Sequence, residues 1–179
     1  TSILNLSKID NQDFEKSVFF KNFSNTMRQQ HRYSLNHNFS FKEFFSKNIF
    51  LKLINETFEL QNHKIDIDYY SLIADKLEIL NKQGLIKMFC VFDHNDEPIN
   101  ICIFSLVKDF STFMFSARSK RVDNKNYSGI FLLINTFQYL KLLNVVNVDL
   151  EGINSPKRGF YKLGLGGNIK NYFNISLNS

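Results

Sequence analysis

The stretch 149-DLEGINSPKRGFYKLGLGGN-168 holds five of the chain's seven glycines and one of its two prolines. It follows an apolar run, 145-VVNVDL-150, that reads as a buried strand. A segment that only packs has no need of this composition, so the stretch is either a turn-rich loop or a site. Pro156 suits the first turn of a short helix, with Ser155 as its N-cap. Gly164, Gly166 and Gly167 would end that helix and turn the chain into a last strand over 169-IKNYFNISL-177.

Upstream of the strand lies a long amphipathic helix, 127-YSGIFLLINTFQYLKLLN-144, preceded by the polar loop 120-KRVDNKN-126. The runs 85-LIKMFCVFD-93 and 99-INICIFSLV-107, joined by 94-HNDEP-98, predict a hairpin, and 110-FSTFMFSARS-119 adds a third strand. Both faces of these strands are apolar, which places them inside a sheet covered on both sides. Cys90 and Cys102 fall nearly opposite each other across the turn and read as small buried hydrophobes rather than a disulfide.

The N-terminal half reads as helical. After a weakly alternating first strand, 3-ILNLS-7, Asp10 or Asn11 would cap a long helical stretch over 13–33, with Phe14, Val18, Phe23 and Met27 at helical spacing. A short polar strand, 34-SLNHNF-39, leads to Ser40, which with Glu43 forms a capping box for a second helix over 43–60. Asp66 or Asp68 opens a third helix over 69–83, closed by Gly84. Helices, an antiparallel meander, a crossover helix, a strand, a short helix and a last strand together predict an α+β (mixed α/β) fold. Its centre is a mixed, mostly antiparallel sheet with helices on both faces.

A length of 179 residues favours one domain, 1–179. Hydrophobic residues at 44% and charged residues at 22% are those of a globular chain and argue against disorder. The net charge of +5 would attract a phosphate-bearing ligand. The aromatics sit in apolar runs rather than among Lys and Arg, so no stacking platform for single-stranded nucleic acid is evident. Two cysteines without a CxxC, and four histidines (His31, His37, His63, His94) without ligand spacing, lead us to expect no metal and a reducing, cytoplasmic compartment. No apolar run approaches the roughly 18 residues of a membrane span. The chain opens at Thr1 rather than Met, as expected of a processed chain or a piece of a longer one.

The element order resembles the GCN5-related N-acetyltransferase (GNAT) fold. Asn154, followed seven residues later by Tyr161 and then by Lys162, Leu163, Gly164 and Leu165, resembles that family's segment after its fifth strand, with the glycine one residue early. Glu151, Gly152, Lys162, Leu165, Gly166 and Gly167 resemble the FemAB-like, BioF2-like branch, whose second lobe ends in an acidic-Gly strand exit, a Phe-Lys pair and a Phe-Gly-Gly turn. Tyr161 and Leu165 stand where Phe is common, and 28-RQQHRY-33 is similar to the Arg-containing helix end of that branch.

This resemblance implies an N-acyltransferase with acyl-CoA or aminoacyl-tRNA as donor. The implied acceptor is an amine on a small sugar nucleotide, peptide or cell-envelope precursor, and the implied partner is a second GNAT-like lobe or a second copy. It also implies Tyr161 as general acid and lifts Lys162 above a solvated lysine. Acetyl-CoA-binding members carry an Arg/Gln-x-x-Gly-x-Gly/Ala loop whose N–H groups cradle the pyrophosphate. Here 118-RSKRVDNKNYSG-129 stands in its place, with Gly129 alone.

Acyl transfer to an amine needs the amine neutral, the carbonyl polarised and a proton for the leaving group. Glu151, just past a strand's carboxyl end, is the candidate base, with Asp149 on the same side if the strand extends that far. Its other reading is a cap for the next helix. Tyr161 is either the acid or a core aromatic with a satisfied hydroxyl. Arg118, Lys120, Arg121 and Lys125 precede a helix N-terminus, which favours an anion; a donor phosphate is expected there, with Asn154 as a further cofactor contact. The other reading of these cations is a solvated turn. The rival function is a non-catalytic GNAT-like lobe retained for substrate or partner binding. The gap between strands 110–119 and 145–150 separates the two, because catalytic members splay it to admit the acyl chain.

Overall fold

A computed structural model describes residues 1–153 and 156–171. The chain opens with β1 (Ser2–Asn5), in which Ser2 and Leu4 point inward. The helical stretch expected over 13–33 is cut into a 3-10 turn (Phe14–Lys16), α1 (Val18–Lys21) and α2 (Asn25–Ser34). Two serines make the cuts. Ser17 Oγ accepts the Phe20 N–H at 3.1 Å and Ser24 Oγ accepts that of Met27 at 3.3 Å, so each starts a new segment rather than continuing the old one. The break folds Phe14, Phe19, Phe20, Phe23 and His31 into one aromatic cluster.

The capping box expected at Ser40 and Glu43 does not form, because those residues are β2 (Ser40–Glu43), paired antiparallel with Phe92 through Phe89. The strand expected over 34–39 is displaced accordingly, with α2 running through Ser34. Ser46 is the true cap, accepting from Ile49, for α3 (Lys47–Glu59). Asp66 caps α4 (Ile67–Lys82) by accepting the Tyr69 N–H, and Gly84 follows at φ +72.

The strands β3 (Ile86–Phe92), β4 (Pro98–Ser105) and β5 (Phe110–Arg118) form the expected meander. The crossover helix α5 (Ser128–Leu142) returns the chain to β6 (Asn147–Asp149), parallel to β5. Beyond it come α6 (Pro156–Leu163) and β7 (Asn168–Ile169). The strand order is β2-β3-β4-β5-β6-β1-β7, so the first strand is inserted between the last two. Of the last strand expected over 169–177, only Ile169 falls in β7; Lys170 and Asn171 follow outside any strand, and the span from 172 on lies outside the described residues.

Alternate residues of β3 and β4 feed two cores. Phe89, Cys102 and Phe104 join α1, α2 and α5 on one face, while Met88, Cys90 and Ile103 join α3 and α4 on the other. Each fully buried Phe or Leu in these layers contributes roughly 1.5–3 kcal/mol. The register sets Cys102 opposite Phe89 and Cys90 opposite Ile101, which turns the two thiols to opposite faces. Both cysteines are free, and burial pushes each thiol up to about 12. No helix among the described residues is long and apolar enough to cross a membrane.

Candidate active site

β5 and β6 pair for only three residues, Phe110↔Asn147, Ser111↔Val148 and Thr112↔Asp149. β5 then runs on to Arg118, whereas the other chain turns away: the Leu150 N–H goes to Ser2 O at 2.9 Å, and Glu151 sits at φ +59 with its N–H on Asp149 Oδ1 at 2.7 Å. Met114 is an extra residue against β4, a bulge that adds twist at the point of divergence. The splay leaves one edge of β5 facing a cleft of about 1250 Å³, bordered by Phe58, Phe115, Leu132, Glu151 and Tyr161 among others. At its far end Thr57 of α3 stands in for the missing strand. Its hydroxyl accepts the Arg118 N–H at 2.8 Å and donates to Arg118 O at 3.1 Å.

Tyr161 projects from α6 to the place where this cleft meets a second cavity of about 340 Å³ at the start of α5. Asn100, Arg118, Gly129 and Tyr161 line both. The Tyr161 hydroxyl is buried and finds no hydrogen-bond partner among the described residues, which is a costly state for a phenol. Burial pushes its pKa well above the ordinary tyrosine value, so the proton stays on. A β-carbon on Gly129 would lie 3.8 Å from that oxygen, so the glycine leaves that side of the hydroxyl without a methyl against it. Tyr127, at φ +56, gives α5 no side-chain cap and stacks instead on Tyr33. Asn100 donates to Ser128 Oγ, which fixes the helix start against β4.

Glu151 lies at the cleft rim and is exposed. Asp149 does not share a strand face with it, because β6 ends at Asp149 and the Asp149 carboxylate is taken by the Glu151 N–H and the Thr1 hydroxyl. Lys162 holds its ammonium 3.4 Å from the carbonyl oxygens of Glu151 and Gly152 and 5.1 Å from the Phe113 ring centroid, tying α6 to the exit of β6. Of the loop cations, Arg118 borders both cavities. Lys120 pairs with Glu59 and Arg121 with Glu97, each at 2.9 Å. Lys125 is exposed with its N–H on Asp123. Asn154, like the cap residue Ser155, lies outside the described residues. The sequence reading singled out neither Asn100 nor Thr57, and treated Gly129 only as the remnant of a missing motif. Their roles depend on contacts across 28 to 61 residues of chain, which no local pattern signals.

No protein-family model matches this chain, and no curated protein sequence does. Solved structures do match. The chain is similar to FemX with a TM-score of 0.73 and 12% identity, over 94% of this chain and 58% of that one. It is similar to the C-terminal domain of a putative lysylphosphatidylglycerol synthetase from Agrobacterium fabrum with a TM-score of 0.58 and 11% identity, over 83% and 44%. PaiA N-acetyltransferase from Thermoplasma acidophilum, solved in complex with coenzyme A, gives a TM-score of 0.51 and 15% identity, over 68% and 86%. The fold is therefore the GNAT-like fold that these structures share. The chain spans just over half the length of the FemX chain it matches.

Proposed function

We propose that the splay between β5 and β6 is an acyl-transfer site, moving an acyl or aminoacyl group to an amine. The observation that carries this is the buried, unpartnered Tyr161 hydroxyl at the junction of two cavities, beside a glycine. An acyl thioester or aminoacyl ester supplies the activated carbonyl, and the cleft along β5 has room for its arm. The start of α5, where Asn126 Oδ1 takes the Ser128 N–H but Tyr127 supplies no side-chain cap, has Arg118 beside it and Lys120, Arg121 and Lys125 on the preceding loop, which supports a donor phosphate there. Asn154 is kept as a further donor contact.

Glu151, at the rim, takes the amine proton directly or through water. The amine nitrogen bonds to the carbonyl carbon, the bond to the leaving sulfur or oxygen breaks, and Tyr161 gives that atom its proton. Lys162 braces the Glu151 turn and lies close enough to add positive charge near the cleft. Acyl-CoA and aminoacyl-tRNA both remain donors of the right chemistry, and a sugar nucleotide, peptide or cell-envelope precursor in the cytoplasm is the acceptor class we favour.

A thermal-shift screen with acetyl-CoA, longer acyl-CoAs and sugar nucleotides, paired with a transfer assay, tests the reading. A true donor raises the melting temperature by linkage. Absence of both binding and transfer with every donor class, aminoacyl-tRNA included, would sink it. The rival reading, a non-catalytic lobe, is supported by the stretch 118-RSKRVDNKNYSG-129 standing where donor-binding members carry a glycine loop, but the splayed strands favour catalysis.

A further inference from the structure

The loop between β5 and α5 is held by carboxylates. Glu56, near the end of α3, accepts the Ser119 hydroxyl at 2.6 Å and the Lys120 N–H at 2.9 Å through one oxygen. Ser119 is fully buried, and its hydroxyl oxygen accepts the Arg121 N–H at 3.3 Å. Glu59 takes the Lys120 ammonium, and Glu97, from the β3–β4 turn, takes Arg121 and also Lys52 at 3.5 Å. The loop thus presents the backbone N–H, hydroxyl and cationic groups that an anion needs, and the protein's own carboxylates fill them.

We propose that Glu56, Glu59 and Glu97 are a built-in counter-anion for this loop, an internal competitor that a phosphate-bearing ligand must displace and that sets the loop's affinity for it. The proposal rests on the acyl-transfer reading only in naming that ligand as the donor. A loop built merely for rigidity needs one such tie. Here three carboxylates from two separate elements converge on consecutive residues, Ser119 to Arg121, which lie in the chain between Arg118 and Val122, two residues that line the cavity at the start of α5. The pairing also perturbs both partners: the hydrogen bond from Lys120 holds Glu59 below the usual carboxylate range, and Arg121 does the same to Glu97.

Glu59 and Glu97 are exposed enough that their glutamine variants should fold, which melting curves check. Calorimetric titrations at low salt would compare the parent with E59Q/E97Q, using inorganic pyrophosphate, acetyl-CoA and pantetheine. Exposed ion pairs are weak, so each released cation should raise pyrophosphate affinity by roughly two- to fivefold. Acetyl-CoA should gain similarly, and pantetheine, which has no phosphate, should change by less than twofold. D75N/E78Q is the control, since it removes two carboxylates that pair with Lys47 and Lys82 elsewhere and adds the same net charge. Equal gains in the control, equal gains for pantetheine, or no pyrophosphate binding by any variant would each overturn the proposal. A pyrophosphate gain without acyl transfer would leave the counter-anion standing and remove the enzyme reading, whereas transfer without that gain would do the reverse.

Discussion

The Tyr161 hydroxyl lies 3.8 Å from the point where a β-carbon on Gly129 would stand, and nothing among the described residues bonds to it. A helix with glycine in its first turn next to a buried phenol gives up helix propensity and leaves a polar atom unsatisfied. Both losses fall at one point, the junction of the two cavities, which is where strain tolerated for function is expected.

Replacing Tyr161 by Phe separates the two readings of that residue. A phenol that serves packing through its hydroxyl loses stability when the oxygen goes, but this hydroxyl has no partner. Tyr161→Phe should therefore melt at the same temperature or higher, with up to about 1 kcal/mol gained. Transfer should fall by roughly 10²–10⁴-fold if the proton is the one the leaving group needs. Because burial raises the Tyr161 pKa, activity should show no loss assignable to this residue between pH 7 and the ordinary tyrosine pKa of about 10.

Gly129→Ala makes the same trade from the other side of the contact. The site is in the first turn of α5 and the new methyl meets only ordinary contact, so helix propensity should add about 0.5–1 kcal/mol of stability. That methyl covers the hydroxyl. Transfer should drop while the melting temperature rises; a rise in both would show that the open space beside Tyr161 has no use.

The readable parts of the chain were those where one strong local signal had no competitor. The α4 cap and its Gly84 terminator, the apolar hairpin and α5 all follow from spacing. Ser40 and Glu43 carried a true capping-box pattern, yet pairing of Phe41 with Val91 at the sheet edge outweighed it, because a four-residue pattern cannot report a partner 50 residues away. Ser17 and Ser24 were present in the helical window as breakers, but an apolar stripe at helical spacing concealed them. Within the candidate site, Tyr161 is marked by the family resemblance and Glu151 by its place at a strand exit. Glu56 and Thr57 could not, since on α3 they look like ordinary exposed helix residues.

The glycines of the opening stretch yield a stability prediction. Gly166 sits at φ +73, and a β-carbon there would lie 2.3 Å from the backbone oxygen of Asn22. It is thus a close-approach residue, seating the turn after α6 against the end of α1, as well as punctuation. Gly166→Ala should cost about 3 kcal/mol or more, from left-handed strain plus a clash that neither backbone can relieve cheaply. Chemical denaturation measures it, and a cost below about 1 kcal/mol would mean that the turn is not seated there.

His31 supplies the pH dependence. It is 5% exposed, its ring meets Phe14 and Phe20 edge-on, and its Nδ1 has no partner among the described residues. Desolvation lowers its pKa, with the nearby Glu15 carboxylate opposing and Arg32 reinforcing the shift. The folded value thus lies below the unfolded one of about 6.5. Above that pH both states are neutral and His31 contributes no slope. As the pH falls below it the unfolded chain binds the proton first, so stability drops toward the folded pKa by at most about 1.4 kcal/mol per pH unit. Melting temperatures from pH 8 to pH 5 should show this fall in the parent and a shallower one in His31→Leu, which keeps an apolar side chain in the aromatic cluster. Equal slopes in the two proteins would assign the acid sensitivity to the carboxylate pairs instead. Because Met27 of the same helix packs within van der Waals reach of Gly164, acid loosening of α2 should also reach the turn that seats Tyr161, and transfer should decline more steeply over the same pH range in the parent than in His31→Leu.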